Sequence, residues 1–491
     1  MHKIAEKKWS EKIFKAYDIR GVYPDEINED AAYKIARAFA RYLALPARMQ
    51  GGGKENKRGL KIVISADARP SSPSLKEAFV DGLMDEGVEI IDAGLTTTPM
   101  HYYTVNISDA DGGAMITASH NPAIFNGVKL SKRGAVPIGE GAGMEEIKAD
   151  AVRGIFASVA GEEAPTWKIR AYDFLEKYIY FFEVHFPELR KFDGVVVADA
   201  SNGMASILLR RFFESFSKIK IHLMHNDLDM TFPNHEANPL KAENLKDVQE
   251  EVLKKKAGIG ISFDGDGDRV GFVDENGKII PGDIITALLA RYFAKTVSSS
   301  KSGFPGKPDF IPDAVIYDLR SSRSVREEIE RLGMRAIESR VGHAFIKALM
   351  RKENAAFGGE VSGHYYFRDF FYCDSAIFAA FAVLDLIRKE ARPLSELVKP
   401  FLKYVKSEEI NFEVVDKEKL LDKVASHFPE AKISYLDGIK IEYPQWWFNL
   451  RISNTENLVR LNIEAVTPEL LDEKKKLISE LLTKYAGVPC C

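Results

Sequence analysis

Three stretches of the chain share one pattern of apolar and polar positions. In each, a run of apolar residues ends in aspartate, and a short polar turn and a stretch with helical periodicity follow. The stretches are KIVISADARPSS, VVVADASNGMAS and AVIYDLRSSRS, with Asp67, Asp199 and Asp318 at the ends of the runs. Buried strands alternating with helices are typical of parallel sheets covered on both faces. The pattern predicts three related α/β domains with mixed, mostly parallel sheets.

The pattern changes after about residue 402. Shorter strands are predicted there in EEINFEVV, GIKIEY, WWFNLRIS and NLVRLNIEA, followed by one amphipathic helix from Pro468 to about Tyr485. This favours a smaller C-terminal α+β domain. The predicted domains are 1–165, 166–281, 282–402 and 403–491.

Composition and charge narrow the class of protein. The 491 residues carry a net charge of only −4, which argues against a nucleic-acid partner. The longest apolar segment, 376–387, contains an aspartate and is too short to span a bilayer, so no membrane partner is expected. The three cysteines, Cys373, Cys490 and Cys491, form no disulfide framework and no CxxC zinc motif. The N-terminus lacks the apolar stretch of a signal peptide, and we expect a cytoplasmic protein.

Each copy continues to a further apolar strand that ends in a loop rich in glycine and polar residues. In the middle copy this strand, AGIGIS, runs into an acidic loop, FDGDGDR. Asp264, Asp266 and Asp268 alternate with glycines, so their carboxylates converge and repel one another unless a hard cation such as Mg²⁺ or Ca²⁺ is present. A solvated polar turn is the plainer interpretation. An EF-hand is excluded although Glu275 occupies loop position 12, because Arg269 stands where that loop requires glycine. Arg269 could also neutralise a phosphoryl group beside the metal.

The corresponding loop of the first copy is ITASHNP. It presents Ser119 on a strand-end turn, followed by His120 and Asn121, where a serine can act as a nucleophile or phosphoryl carrier. It does not match the G-x-S-x-G elbow of hydrolases. Taken alone, such a serine is more often a hydrogen-bonding cap. Lys129, ten residues on, could supply a proton or a charge, or be an ordinary surface lysine.

The loop of the third copy, GEVSGH, carries Glu360, Ser362 and His364 at alternate positions. A carboxylate, a hydroxyl and an imidazole on one side suit the hydroxyl groups of a sugar. A structural polar loop explains the same residues equally well.

The C-terminal region offers a candidate phosphate site in LRISNTENLVRL. Arg451, Ser453, Asn454, Thr455 and Arg460 surround a turn, and hydroxyls and guanidinium groups are suitable partners for phosphate oxygens. The Ser-Asn-Thr-Glu run could also be a helix cap. The two arginines favour phosphate.

Together, ITASHNP, DGDGDR, GEVSGH and RISNTE resemble the α-D-phosphohexomutase superfamily over the whole chain. FKAYDIRG, with Tyr17 and Arg20, is similar to its phosphomannomutase/phosphoglucomutase branch. The resemblance implies four domains around a central cleft, carrying in chain order the phosphoserine, metal, sugar and phosphate loops.

The resemblance also implies residue roles. By this resemblance, Ser119 corresponds to the phosphoserine and is also a metal ligand. Asp264, Asp266 and Asp268 correspond to the Mg²⁺ ligands. Lys129 and His343 correspond to the acid/base candidates. Arg269 would act on the phosphoryl group. The implied substrate contacts are Tyr17, Arg20, His120, Asn121, Arg320, Glu360, Ser362, His364, Arg451, Ser453, Asn454, Thr455 and Arg460. Arg320 stands where the family commonly has lysine.

The activity implied is a phosphohexomutase that interconverts hexose 1-phosphate and hexose 6-phosphate, of mannose and/or glucose. It would act through a phosphoserine and a hexose 1,6-bisphosphate intermediate, with Mg²⁺ and hexose 1,6-bisphosphate as activator. The alternatives are a phosphoglucosamine mutase, a metal-dependent sugar-phosphate phosphatase, and a non-enzymatic calcium- or sugar-binding module. A phosphatase would release free phosphate, and a binding module would not need Ser119.

Overall fold

A computed structural model describes residues 8–44, 59–156, 169–299, 313–414, 417–452, 458–485 and 489–490. The chain divides into two compact units. The first comprises residues 1–280 and 362–394, and the second comprises 281–361 and 395–491. The four predicted domain bounds are finer than this division and stay a prediction.

The first sheet of the first unit has seven strands, and four helices lie between them along the chain. They are β1 (Ile19–Val22), α1 (Glu29–Ala44), β2 (Lys61–Ala66), α2 (Ser72–Met84), β3 (Glu89–Leu95), α3 (Thr98–Ile107), β4 (Gly112–Ile116), β5 (Phe125–Lys132), β6 (Val136–Pro137), α4 (Met144–Arg153) and β7 (Ile169–Ala171). The order is β1-β5-β4-β2-β3-β7, with β6 paired to β5. Strand β2 runs parallel to β3 and β4, whereas β5 is antiparallel to β4. The ITASHNP loop is therefore the connection between β4 and β5.

The second sheet repeats this plan with a shorter order, β12-β11-β10-β8-β9. Its elements are α5 (Leu175–His185), β8 (Gly194–Asp199), α6 (Ser206–Glu214), β9 (Ile219–Met224), α7 (Lys246–Lys255), β10 (Ile259–Phe263), β11 (Val270–Asp274) and β12 (Ile279–Ile280). Strands β8, β9 and β10 are parallel, and β11 turns back antiparallel to β10. The acidic loop is the turn between β10 and β11.

The second unit begins with the third copy of the pattern. Its elements are α8 (Gly282–Ser299), β13 (Ala314–Asp318), α9 (Arg323–Arg331), β14 (Arg335–Ser339), α10 (His343–Glu353) and β15 (Phe357–Gly359). Strand β13 lies between β14 and β15, parallel to both. Each predicted apolar run that ends in aspartate is thus a buried strand.

The chain then returns to the first unit for a hairpin and a buried helix. These are β16 (Tyr365–Phe367), β17 (Cys373–Asp374) and α11 (Ala376–Glu390). Every residue from Ala376 to Leu386 is buried, so the longest apolar stretch of the sequence is a core helix. Among the described residues, no helix has both the length and the apolar character needed to cross a membrane.

The C-terminal region is an antiparallel sheet with helices, as predicted. It contains α12 (Leu394–Val398), β18 (Val405–Lys406), β19 (Ile410–Glu413), α13 (Lys417–Ala425), β20 (Lys432–Ser434), β21 (Ile439–Glu442), β22 (Trp446–Ile452), β23 (Leu458–Ala465), α14 (Pro468–Tyr485) and β24 (Pro489–Cys490). The four predicted strands and the terminal helix are confirmed. The two- and three-residue strands β18, β20 and β24 are too short to show a period in the sequence. The fold class of three α/β regions followed by an α+β region is confirmed.

Candidate functional site

Ser119 lies in a strained turn directly after β4. Its φ is 54°, in the left-handed region that L-residues other than Asn and Asp rarely adopt. The side chain is nearly fully buried. Its hydroxyl donates to Oδ2 of Asp264 at 3.1 Å and lies 3.3 Å from Nδ1 of His120. A non-glycine residue in this conformation is typical of functional sites, where surrounding contacts hold the strained backbone in place.

Arg69 supplies many of those contacts. Its guanidinium donates at 2.7–3.0 Å to four carbonyl oxygens, those of Ser119, Asn121 and Pro122 in the loop and that of Phe125, the first residue of β5. Nε pairs with Asp67 at 3.1 Å, and both side chains are fully buried. Arg69 therefore acts as a positioning residue for the serine. It was not among the residues predicted from the sequence.

Replacing Arg69 with alanine is expected to destabilise this part of the protein and lower activity. It leaves Asp67 as a buried charge without its cation and removes the donors to four carbonyls, which costs about 3 kcal/mol or more. The melting temperature should fall by roughly 5–10 °C in the transition that includes this sheet.

Arg133→Ala is the matched control for thermal denaturation. Arg133 also pairs with two carboxylates, Asp109 and Asp111, but its side chain is half exposed. Its loss should cost no more than about 1 kcal/mol. Equal melting temperatures for Arg69→Ala and wild type would contradict the positioning role.

The three aspartates of the acidic loop converge as predicted. One carboxylate oxygen from each of Asp264, Asp266 and Asp268 lies within 4.8 Å of the other two, and all three side chains are buried. Burial and repulsion by the two neighbours raise the pKa of Asp264 well above its usual range. Among the described residues, no hydrogen bond reaches Oδ1 of Asp266 or of Asp268. Buried carboxylates with unused oxygens fit a hard divalent cation.

Lys129 reaches this acidic cluster from β5. Its Nζ lies 2.6 Å from Oδ2 of Asp266 and 2.6 Å from Oδ2 of Asp268. Burial acts to lower the pKa of Lys129, but the two carboxylates outweigh it and hold the pKa above its ordinary value. Lys129 is thus a buried cation of the site and not a surface lysine.

Arg269 and His364 also border the acidic loop. Nε of Arg269 donates to Nε2 of His364 at 3.0 Å and lies 3.9 Å from Oδ2 of Asp264. Nδ1 of His364 faces Asp374 at 3.1 Å and Asp268 at 3.6 Å. His364, one of the predicted sugar contacts, thus lies against the acidic loop, and its role in sugar recognition stays a prediction. Asp374, on the two-residue strand β17, was not anticipated.

The segment around β1 carries two further predicted residues, and one of them, Arg20, reaches the ITASHNP loop, called the serine loop below. Arg20 donates to Oδ1 of Asn121 at 2.7 Å and pairs with Asp18 at 2.5 Å. Its Nε is buried and makes no hydrogen bond within the described part of the chain, so it is a donor available to an anionic ligand. Tyr17 precedes β1 and is partly buried.

In the second unit, arginines gather around Glu409. Arg320 Nη1 lies 4.0 Å from Glu409 Oε2, and Arg460 Nη1 lies 3.4 Å from its Oε1. Burial lowers the pKa of Arg451, and the positive charges of Arg320 and Arg460 lower it further. Arg320 also pairs with Asp318 at 2.9 Å, and Arg451 lies close enough to Arg320 and Arg460 for their charges to act on it. Guanidinium groups grouped in this way are suitable partners for phosphate oxygens.

The other predicted residues are distributed as follows. Glu360 is buried in the second unit, where its charge acts on Arg320, and His343 is the first residue of α10. Ser362 opens the segment that returns to the first unit. The predicted phosphate-site residues Ser453, Asn454 and Thr455 lie outside the described residues.

The repeat contained a signal for Arg69 that the sequence reasoning did not use. In the first and third copies, an arginine two residues after the strand-end aspartate pairs with it. These are Asp67 with Arg69, and Asp318 with Arg320 at 2.9 Å. Thr98 was missed as well, although its Oγ1 donates to Oδ2 of Asp266 at 2.6 Å.

Comparison with known families covers most of the chain. Four models of phosphoglucomutase/phosphomannomutase domains match in order. The α/β/α domains I, II and III match residues 11–156, 173–277 and 281–404, and the C-terminal domain matches 409–481. The chain belongs to the phosphoglucomutase/phosphomannomutase family.

The similarity to individual relatives extends over nearly the full length of the chain. A protein named phosphomannomutase from Methanocaldococcus jannaschii is 37% identical over 475 residues, covering 96% of this chain and 98% of the relative. One of the same name from Vibrio cholerae is 36% identical, covering 95% and 98%. A crystal structure of a phosphoglucomutase/phosphomannomutase family protein from Burkholderia thailandensis aligns with a TM-score of 0.82 at 30% identity, covering 97% of this chain and 98% of that one. The resemblance that the four motifs indicated is confirmed.

Proposed function

We propose that this phosphohexomutase interconverts mannose 1-phosphate and mannose 6-phosphate, and also acts on the corresponding glucose phosphates. The observation that carries the proposal is the position of Ser119, whose hydroxyl lies 3.1 Å from one carboxylate of a buried acidic cluster. Phosphomannomutase-named relatives at 34–37% identity over most of the chain support mannose as the hexose.

Ser119 carries the phosphoryl group in this proposal. A phosphoserine bears about −1.5 to −2 charges at neutral pH, and beside three carboxylates it needs neighbouring cations. Arg269 and Lys129 supply two of them from the chain itself. Asp264, Asp266, Asp268 and the phosphoserine would hold Mg²⁺, which supplies positive charge at the phosphoryl oxygens.

The reaction needs two transfers by the same serine. In the first, Ser119 gives its phosphoryl group to the free hydroxyl of a hexose monophosphate, forming a hexose 1,6-bisphosphate. In the second, the other phosphate of that bisphosphate returns to Ser119. Lys129 and His343 are the proposed acid/base groups of these two transfers. Added hexose 1,6-bisphosphate should act as an activator because it phosphorylates a serine that has lost its phosphate.

Arg320, Arg451 and Arg460 would bind the phosphate that is not being transferred. Such a site must accept a phosphate at position 1 in one orientation and at position 6 in the other. Guanidinium groups meet this need because they recognise the phosphate and not the sugar. Arg320 and Arg460 are held near each other by Glu409, and Arg451 lies within reach of their charges. Glu360, Ser362 and His364 remain the proposed sugar contacts.

Arg451→Ala is expected to raise KM for mannose 1-phosphate by about 10–100-fold, the cost of losing hydrogen bonds to a charged group. Steady-state kinetics measure it. The control is Arg331→Ala, which removes an arginine of the same unit whose side chain is 61% exposed and pairs with Glu328. An unchanged KM in Arg451→Ala would contradict the assignment of this phosphate site.

Product analysis by ³¹P NMR tests the proposed activity. The enzyme, with Mg²⁺ and a trace of glucose 1,6-bisphosphate, is incubated separately with mannose, glucose and glucosamine 1-phosphates. Conversion of the mannose and glucose substrates to 6-phosphates at constant inorganic phosphate is expected. Growth of the inorganic phosphate signal at the expense of ester would indicate a phosphatase, and exclusive turnover of glucosamine 1-phosphate would indicate the phosphoglucosamine alternative.

A further inference from the structure

The strand-end aspartate of the middle copy, Asp199, has different partners from the aspartates of the other two copies. Asp67 and Asp318 each pair with an arginine two residues on, whereas Asp199 is followed at that position by Ser201. Asp199 is fully buried at the end of β8. A buried carboxylate requires a cation or several hydrogen bonds. The backbone N–H of Ser201 and the hydroxyl of Ser262 donate to Asp199 at 2.9 and 3.3 Å, but neither group carries a positive charge.

Two histidines surround Asp199. Nδ1 of His225, just beyond β9, lies 3.0 Å from Oδ1, and Nε2 of His235 lies 2.9 Å from Oδ2. One ligand atom from each of the three residues lies within 4.8 Å of the others. The histidine side chains are 15% and 11% exposed, so an ion can reach them from solvent.

The outer nitrogens of both rings face oxygen atoms as well. Nδ1 of His235 lies 2.9 Å from the carbonyl oxygen of Glu236. A carbonyl oxygen only accepts, so Nδ1 carries the proton and a neutral ring turns the lone pair of Nε2 towards Asp199. Nε2 of His225 lies 3.7 Å from Oδ2 of Asp247. That separation is too long for a direct hydrogen bond, so only His235 is oriented by an outer oxygen. Such an outer partner is common around metal-binding histidines.

We propose that Asp199, His225 and His235 form a second metal site, selective for a zinc-class divalent cation. Two imidazoles and one carboxylate are a donor set for zinc and similar transition metals, whereas the all-oxygen acidic loop suits Mg²⁺. The cation takes the place that arginine has in the other two copies. A proton on Nε2 of His235 is the competing occupant, because Asp199 outweighs the effect of burial and raises the pKa of His235.

The ion would be structural and would act on the serine loop at a distance. It joins the ends of β8 and β9 to His235, at the end of a segment that contains Met230 and Phe232. The backbone N–H of Ala68 donates to Sδ of Met230 at 3.2 Å, and the guanidinium of Arg69 lies 5.5 Å from the ring centre of Phe232. Fixing this segment supports Arg69, which holds the carbonyls of the serine loop.

Zinc uptake by the full-length enzyme tests the proposal. The protein carries no histidine tag and has Cys490→Ser and Cys491→Ser, because adjacent thiols bind zinc themselves. After chelation it is dialysed against Zn²⁺ with excess Mg²⁺ to fill the acidic loop, and bound zinc is measured by elemental analysis. The expected result is about one zinc per chain, lost in His235→Gln and kept in Asp264→Asn. The matched control, His222→Gln, removes a histidine of β9 that pairs with Glu251 and should also keep its zinc.

X-ray absorption at the zinc edge covers the case in which His235→Gln fails to fold. Wild-type zinc should show two imidazole nitrogens and carboxylate oxygen in its first shell. Zinc should also raise the melting temperature of wild type with Mg²⁺ present. The proposal is overturned if wild type takes up no zinc beside Mg²⁺, if folded His235→Gln keeps it, or if the shell contains only oxygen. The histidines would then hold Asp199 as protonated cations.

Discussion

Ser119→Ala is expected to lower kcat for the conversion of mannose 1-phosphate by at least about 10⁴-fold, the scale seen when a nucleophile is removed from an active site. Alanine keeps the small volume of the side chain and removes only the atom that would carry the phosphoryl group. The hydroxyl now donates to Asp264, so its loss leaves one acceptor without a donor but creates no large cavity. The effect should therefore appear in turnover and not in folding.

The control for this variant is Ser108→Ala, which removes a serine hydroxyl at the C-terminal end of α3. It should retain wild-type kinetics. Circular dichroism and thermal melting of both variants should match wild type within a few degrees. If Ser119→Ala keeps more than a small fraction of the wild-type kcat, Ser119 is not the phosphoryl carrier.

Asp264→Asn is the second change with a large expected effect. Asparagine has nearly the same shape and can still accept the backbone N–H groups of Asp268 and Arg269 that now reach Oδ1 at 3.0 and 3.1 Å. The substitution removes one negative charge from the proposed Mg²⁺ ligands. Loss of electrostatic stabilisation of this kind lowers kcat by about 10²–10³-fold.

Activity measured against Mg²⁺ concentration separates the metal effect from misfolding. Asp264→Asn should need more Mg²⁺ to reach its maximum and should show weaker Mg²⁺ binding by calorimetry. Glu275→Gln is the matched control, since Glu275 would be the bidentate ligand of an EF-hand but is no part of the proposed Mg²⁺ site. A loss of Mg²⁺ binding in Glu275→Gln, with Asp264→Asn unaffected, would reverse the assignment.

Much of the fold could be predicted because its signals are local. Each apolar run ending in Asp67, Asp199 or Asp318 is a buried parallel strand, and burial on both faces makes such strands continuous in hydrophobicity. The convergence of Asp264, Asp266 and Asp268 was also predictable, because alternate residues of an extended segment point the same way.

What could not be predicted depends on contacts between distant segments. Lys129 looks like an ordinary surface lysine until β5 pairs with β4 and places its amine between Asp266 and Asp268. The left-handed φ of Ser119 carries no local signature, because no glycine stands there. Asp374 lies on a strand too short to show a period, so its contact with His364 was not visible in the sequence.

The fate of the phosphoryl group tests the central claim most directly. Enzyme is labelled with ³²P by glucose 1,6-bisphosphate in the presence of Mg²⁺ and then freed of ligand. One portion is digested to identify the labelled peptide, and the other is mixed with unlabelled mannose 1-phosphate. The account expects the label on the peptide containing Ser119 and its transfer to mannose 1,6-bisphosphate. Label on another residue, or its release as inorganic phosphate without passing to the sugar, would contradict the proposed mutase mechanism.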